Sequence, residues 1–291
     1  MNEQTKKRYS SLARHFYKHH MNHAPLSLGS IAKELIKSAA KFRPDYFRIL
    51  KNALSFDLQS RGYSEAAIKI KAIVNPVTVK GSTLTKKPKL ARARSCSNVD
   101  LLQLANHLFN AGYYEEFAAI SLISYTGARP AELHAMQIDD NVLFIEGAKK
   151  TEDNVRGADR VLKISNSSAQ MVITDCIRIL KTSERSIDAI RHRLRIEAGK
   201  VWPRRKVLPS MYSIRHQVGA DLKASNLAPK VVAYIMGHQS TNSIMRYGDR
   251  RQGVAGRLEV EPAQESDLSN VRDKIKSKSG ELVVNMLLKD S

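Results

Sequence analysis

Two cysteines, Cys96 and Cys176, are all that the 291 residues contain, and they form no CxxC pair. That removes a zinc knuckle or thiol-redox motif; buried reduced thiols are expected, with a disulfide between the two left open. No uninterrupted apolar run approaches the roughly 18 residues a membrane span needs. The amino terminus carries Lys6, Lys7, Arg8 and Arg14 and lacks the apolar stretch of a signal peptide, so a cytoplasmic protein is expected. There is no Walker loop, no dinucleotide fingerprint and no internal repeat. Acidic residues are few: 28 Asp plus Glu face 48 Lys plus Arg, for a net charge of +20.

What is present is an ordinary globular composition, 42% hydrophobic and 26% charged, in a length that suits two moderate domains. The charge is unevenly placed. Residues 1–94 carry +15, residues 95–256 carry +6 and residues 257–291 carry −1. Such a block fits a polyanion, because each phosphate neutralised by Lys or Arg releases condensed counterions. A solvated, solubilising surface would have the same composition.

The amino-terminal third has a helical pattern. Leu28, Ile31, Leu35 and Ile36 recur at helical spacing; Pro44 opens a second helix with Phe47, Leu50, Leu54 and Leu58, closed by Gly62; Ser64 caps a third with Ile68, Ile70 and Ile73. His15, His19 and His23, with His20 adjacent, have a spacing that can seat zinc on one helix face. With no acidic or cysteine partner, they are expected to form an exposed polar arm, and no metal is assigned. Residues 1–80 are therefore assigned to a helical domain and 81–97, with Lys86, Lys87, Lys89, Arg92 and Arg94, to a basic linker.

A second domain is expected over 98–257. Asn98 caps a helix bearing Leu101, Leu104 and Leu108; an apolar helix follows from Glu116 to Tyr125 and stops at Gly127; Pro130 starts the next. The runs Val142 to Ile145 and Val161 to Ile164 predict a hairpin with a long, mobile tip. Helices are then expected over Ala169 to Lys181, Ile187 to Ala198, Ser213 to Ala224, Pro229 to Met236 and around Ser243 to Tyr247. The fold class is α+β, predominantly helical, with a small β-sheet.

Three dispersed boxes stand out. They are Tyr125-Thr126-Gly127-Ala128-Arg129-Pro130-Ala131-Glu132-Leu133, Tyr212-Ser213-Ile214-Arg215-His216, and Met236-Gly237-His238 followed by Ile244-Met245-Arg246-Tyr247. Arg215 precedes His238 by 23 residues, and His238 precedes Tyr247 by 9. In order and spacing the series resembles the tyrosine recombinase (phage integrase) family. Met136-Gln137-Ile138-Asp139-Asp140 is similar to the family's continuation, with an Asp closing the first strand. Taken singly each residue has a bland reading: Arg129 pairing with Glu132, a satisfied core His238, Tyr247 as one of ten tyrosines.

The resemblance implies a SAM-like helical core-binding domain and a mixed catalytic domain that clamp duplex DNA. It implies cleavage by Tyr247 to give a 3′-phosphotyrosine and a free 5′-hydroxyl, without metal, ATP or other cofactor. Arg129 and Arg215 would bind the non-bridging oxygens, with His238 as a further donor, because planar, permanently charged guanidinium groups match a phosphate. A lysine on the hairpin, Lys150 or its neighbour Lys149, would protonate the leaving group. The second box departs from the family pattern by placing Tyr212 where a histidine is usual. A phenol with a pKa near 10 is no neutral base at pH 7, so Tyr212 is expected to bond the phosphate or to pack, and the base is left open between His238 and His216. Lys149, Arg204 and Arg205 join the linker cations as DNA contacts; Arg191, Arg193, Arg195 and Lys206 either track the backbone or form a solvated face. The resemblance further implies a tetramer on two synapsed DNA sites, monomeric or weakly associated when free, with accessory bending proteins as possible partners. Residues 258–291 are expected to dock on a neighbouring subunit, to pack in cis or to stay mobile. Two other functions stay open: a type IB topoisomerase-like relaxing enzyme, and a DNA-binding protein with a degenerate site.

Overall fold

The structure is a computed structural model describing residues 1, 3–21, 25–148 and 158–273, with the side chains of 265–267 left aside. It divides into two compact units, Met1–Leu90 and Ala91–Ser291. No helix among the described residues is long and apolar enough to cross a membrane.

The first unit contains α1 (Glu3–His20), α2 (Leu28–Ser38), α3 (Pro44–Ser60) and α4 (Ser64–Ala72). The Ser27 side chain accepts from the Ser30 amide to start α2, and Pro44 occupies the first turn of α3, where its missing N–H costs nothing. Phe47, Leu50, Leu54 and Leu58 recur at three- and four-residue steps and bury one face of α3. The expected polar arm is instead α1. Its Ala13 and Phe16 are completely buried, and the Tyr17 hydroxyl donates to Asp57 at 3.0 Å. One buried phenylalanine contributes about 1.5–3 kcal/mol, enough to hold a helix whose other face is basic and histidine-rich. Residues 22–24, and with them His23, lie outside the described residues; among those described, no group of His, Cys, Asp or Glu has a metal-binding arrangement. Two local expectations are corrected. Ser64 is the first residue of α4 rather than its cap, which is Tyr63, and Ile68 is solvent-exposed because it lies 200° around the helix from buried Ile70.

The second unit is built around α6 (Tyr114–Thr126), whose Ala118, Ala119, Ile120, Leu122 and Ile123 are all fully buried. A helix apolar on every side is a core helix, and α5 (Asn98–Asn110), α7 (Ser167–Lys181), α8 (Ile187–Val201) and α9 (Met211–Ala224) pack around it. The cap of α5 is Ser97, which accepts from the Asp100 amide, one residue before the expected Asn98. β1 (Gln137–Asp139), β2 (Val142–Ile145), β3 (Arg160–Ile164) and β4 (Val260–Pro262) form an antiparallel sheet in that order. The hairpin tip, residues 149–157, lies outside the described residues. α10 (Pro229–Ile235) reaches the sheet through the Tyr234 hydroxyl, which accepts from the Val161 amide at 2.9 Å.

β4 changes the reading of the tail. Val260 pairs with Ile164, and the Thr241 amide donates to the Arg272 carbonyl at 3.1 Å, so the chain through Asp273 is built into its own unit. Residues 274–291 lie outside the described residues. Cys96 and Cys176 are buried free thiols.

Candidate active site

α6 ends at Gly127, whose positive φ of 63° turns the chain out of the helix. A Cβ there would lie 2.9 Å from the Met236 sulfur, so the glycine also permits close approach of the third box. Arg129 follows and caps the short 3₁₀ helix Pro130–Ala135. Its Nη1 donates to Glu132 Oε1 at 2.7 Å, its backbone amide to Glu132 Oε2 at 2.8 Å and its Nη2 to the Gly237 carbonyl at 2.8 Å. Arg215 projects from α9 and is fully buried. Its Nη1 donates to the Gly127 carbonyl, its Nη2 to the Met236 carbonyl at 2.6 Å, and Nη2 also lies 3.2 Å from His238 Nε2. The three boxes thus meet through backbone carbonyls that the arginines satisfy.

Tyr247 completes the group. Its ring centroid lies 4.8 Å from those of His216 and His238, and the Arg215 guanidinium carbon sits 5.0 Å from it. Two features hold its backbone. Lys223 Nζ donates to the Tyr247 carbonyl and, at 2.8 Å, to the Gly248 carbonyl, while the Gly248 amide donates to His216 Nδ1 at 3.3 Å. Gly248 has φ 59°, and a Cβ on it would fall 2.4 Å from the Ala220 amide nitrogen. The tyrosine is therefore strapped to α9, the helix that carries Arg215.

Two residues of the site were not singled out from sequence as functional. Glu132 is almost fully buried and takes a guanidinium on each oxygen: Arg129 on Oε1 and Arg160 on Oε2, the latter at 2.8 Å. Arg160, the first residue of β3, pairs opposite Ile145 and points inward with Leu162 and Ile164. Its only sequence signal was the period-2 register of that strand. Gly237, with φ 62°, seals the arrangement: a Cβ would lie 2.6 Å from Arg160 Nη1 and 3.0 Å from Arg129 Nη1.

The electrostatics follow from crowding. Burial acts to raise the Glu132 carboxyl, but Arg160 and Arg129 outweigh it and bring its pKa to about 2. Burial first, then Arg129 and Arg160, lowers Arg215 to about 10, still charged at neutral pH. Burial and the three arginines push His238 down to about 2, and burial with Arg215 and Lys223 lowers His216 as well. Both imidazoles are neutral at pH 7. Because an arginine can only donate, His238 Nε2 is an acceptor and Nδ1 carries the proton; by the same logic His216 carries its proton on Nε2. His238 Nδ1, Arg215 Nε, and Arg160 Nε and Nη1 are buried without a hydrogen-bond partner among the described residues. Of these, the His238 and Arg215 donors lie beside the Tyr247 ring, an arrangement that suits an oxyanion.

Arg129 pairs with Glu132, as in the bland reading, and also bonds the Gly237 carbonyl next to His238. His238 is not a satisfied core histidine. Tyr212 lies one helical turn before Arg215 yet is 42% exposed and outside this cluster. Lys149 and Lys150 lie outside the described residues; Ala148, just before them, donates its amide to Glu132 Oε1 at 3.4 Å. Of the expected DNA contacts, Lys86, Lys87, Lys89, Arg92, Arg94 and Arg204 are exposed. Arg205 is not free for phosphate. It makes a two-pronged pair with Asp100 at 3.0 and 3.1 Å and lies over the Trp202 ring, so its charge is already neutralised. Arg191 and Arg193 are likewise paired, with Asp188 and Glu197.

No protein-family model and no curated protein sequence matches the chain. Solved structures do. A lambda integrase tetramer bound to a Holliday junction superposes with a TM-score of 0.60 at 17% identity, over 86% of this chain and 73% of that one. The Tn1549 transposon integrase in complex with circular intermediate DNA superposes with a TM-score of 0.56 at 17% identity, over 86% and 90%. A lambda integrase dimer bound to a core site gives 0.58 at 18% identity, over 84% and 90%. The chain has the tyrosine-recombinase fold. Identity this low shows the fold alone; the arrangement of buried Arg129, Arg215 and His238 with half-buried Tyr247 is a property of this chain's own residues.

Proposed function

We propose that this chain is a site-specific DNA recombinase that cleaves and rejoins duplex DNA through a phosphotyrosine at Tyr247. The observation that carries the reading is the packing of buried Arg215 and neutral His238, each with an unused N–H donor, against one tyrosine ring, with Arg129 tied to the same turn through the Gly237 carbonyl. The Tyr247 oxygen attacks the scissile phosphorus, the bond to the 5′ oxygen breaks, and the 3′ phosphate is left esterified to the enzyme. Rejoining reverses these bonds with a new 5′-hydroxyl. Arg129 and Arg215 oppose the charge that gathers on the non-bridging oxygens, and the His238 Nδ1–H donates to one of them. Neither His238 nor His216 offers a free ring lone pair in this arrangement, so the phenol proton is released to solvent water, from which the lysine that protonates the leaving oxygen regains its own. Lys150, or Lys149, protonates the leaving oxygen. The exposed cations from Lys86 to Arg94, with Arg204, bind the DNA backbone without reading its sequence. The recombining unit is a tetramer on two DNA sites, acting on cytoplasmic DNA.

The test is a trapping assay with nicked suicide duplexes tiled across the DNA that flanks the encoding gene. A covalent protein–DNA adduct that disappears in Tyr247→Phe is expected. Absence of adduct on every tile rejects the catalytic reading. Joining of new DNA partners, rather than relaxation of a supercoiled circle alone, distinguishes a recombinase from a topoisomerase.

A further inference from the structure

Arg160 is a fully buried arginine whose pairing does not account for it. Its side chain is 0% exposed, and only Nη2 is bonded, to Glu132; Nε and Nη1 have no hydrogen-bond partner among the described residues. Leaving two donors of a buried cation unused is costly unless something else fills them. Glu132 does not need this guanidinium for neutrality, because Arg129 already bonds it through Nη1 and its backbone amide. One carboxylate therefore faces Arg129, Arg160 and Arg215, and the neighbouring His238 is neutral. Among the described residues, two of these three positive charges have no carboxylate to match them. Their placement is directional as well, since Nη1 of Arg160 and Nη1 of Arg129 converge over Gly237, where a Cβ would strike both.

We propose that Arg160 is a positioning residue of the phosphate site: by taking one oxygen of Glu132 while Arg129 takes the other, it fixes the plane of the Arg129 guanidinium and keeps a positive charge unmatched until a phosphodiester arrives. It acts through Glu132 and Arg129 and touches no reacting atom. The proposal rests on the recombinase reading and names a component of that site outside the three sequence boxes.

The experiment uses the full chain and the tiled nicked duplexes. Arg160→Met should lower the rate constant of adduct formation about 100-fold, with DNA affinity within about threefold. Arg160→Lys, which keeps the charge and one bond to Glu132, should recover at least about tenfold of that loss. In a Glu132→Gln background, Arg160→Met should add little, because the two act as one unit. A fall in adduct amplitude with an unchanged rate constant would mark a merely structural arginine, and additive losses in the double variant would equally overturn the proposal. Should Arg160→Met fail to fold, Arg160→Lys decides by the same rate constant measured at an unchanged melting temperature. If the wild type forms no adduct on any tile, the recombinase reading has failed by itself. Arg160 is then judged with inorganic phosphate: a rise in melting temperature shared by the wild type and Arg160→Lys but lacking in Arg160→Met supports an anion site, and equal rises in all three overturn it.

Discussion

The two units use positive charge in opposite ways. In the first, Lys86, Lys87 and Lys89 are exposed, as are most of the other cations of a unit that carries 18 Lys plus Arg against 5 Asp plus Glu, +13. In the second, Arg129, Arg160 and Arg215 are almost wholly buried, and each is oriented by named acceptors. Exposed charge is screened beyond about 8 Å at physiological salt and has no preferred geometry. It attracts a polyanion and lets it slide. Buried charge has been desolvated during folding and is aimed before any ligand arrives, so it discriminates between charge distributions. Net charge alone describes the first kind and is nearly blind to the second.

The largest expected effect sets the two kinds apart. Arg215→Met should lower adduct formation about 1,000-fold at any salt concentration, whereas replacing Lys86, Lys87 and Lys89 together by Ala should leave the rate at saturating DNA unchanged. Gel-shift titrations across salt should show the latter reducing the slope of log affinity against log salt by about 0.9 per lysine. Next comes Gly237→Ala, which places a methyl against Arg160 and Arg129 in a left-handed backbone. A loss of about 1–3 kcal/mol in denaturant melts is expected, with slower adduct formation; unchanged activity would mean the arginines need no fixed spacing. Third, His238 is held neutral in the fold with a pKa of about 2, against about 6.5 when unfolded. The unfolded chain therefore gains the proton first as pH falls, and stability is lost from about pH 6.5 downward, by about 2 kcal/mol at pH 5. His238→Gln should flatten that part of the melting profile. The smallest effect belongs to Arg205→Ala, expected to cost at most about 1 kcal/mol and to leave the salt slope untouched, because its charge is already matched by Asp100.

How much of this was legible in the sequence depends on distance along the chain. The α3 stripe and the apolar α6 announce themselves through local periodicity, and Arg129, Arg215, His238 and Tyr247 through order and spacing. α1 was hidden because Ala13 and Phe16 are embedded among basic residues and histidines, so one short apolar stripe was outweighed by polar composition. β4 was hidden because three residues ending in a proline have no strand signal; only pairing with β3, almost a hundred positions earlier, makes them one. Arg160 belongs to the same class. Nothing local separates it from the polar stretch before it, and only the inward register of β3 places it against Glu132. The ion pair of Arg205 was hidden for a comparable reason, since its partner Asp100 is remote in sequence.

The strap on Tyr247 has a genetic consequence. Lys223, His216 and the bare backbone of Gly248 bind the tyrosine to the helix that supplies Arg215, so the nucleophile and anion clamp of the proposed reaction are inherited as one part. A cell making both Tyr247→Phe and Arg215→Met chains would then contain no assembly with an intact centre, whichever way the subunits mix. Complementation between the two alleles should fail. Two broken copies cannot lend each other what they lack.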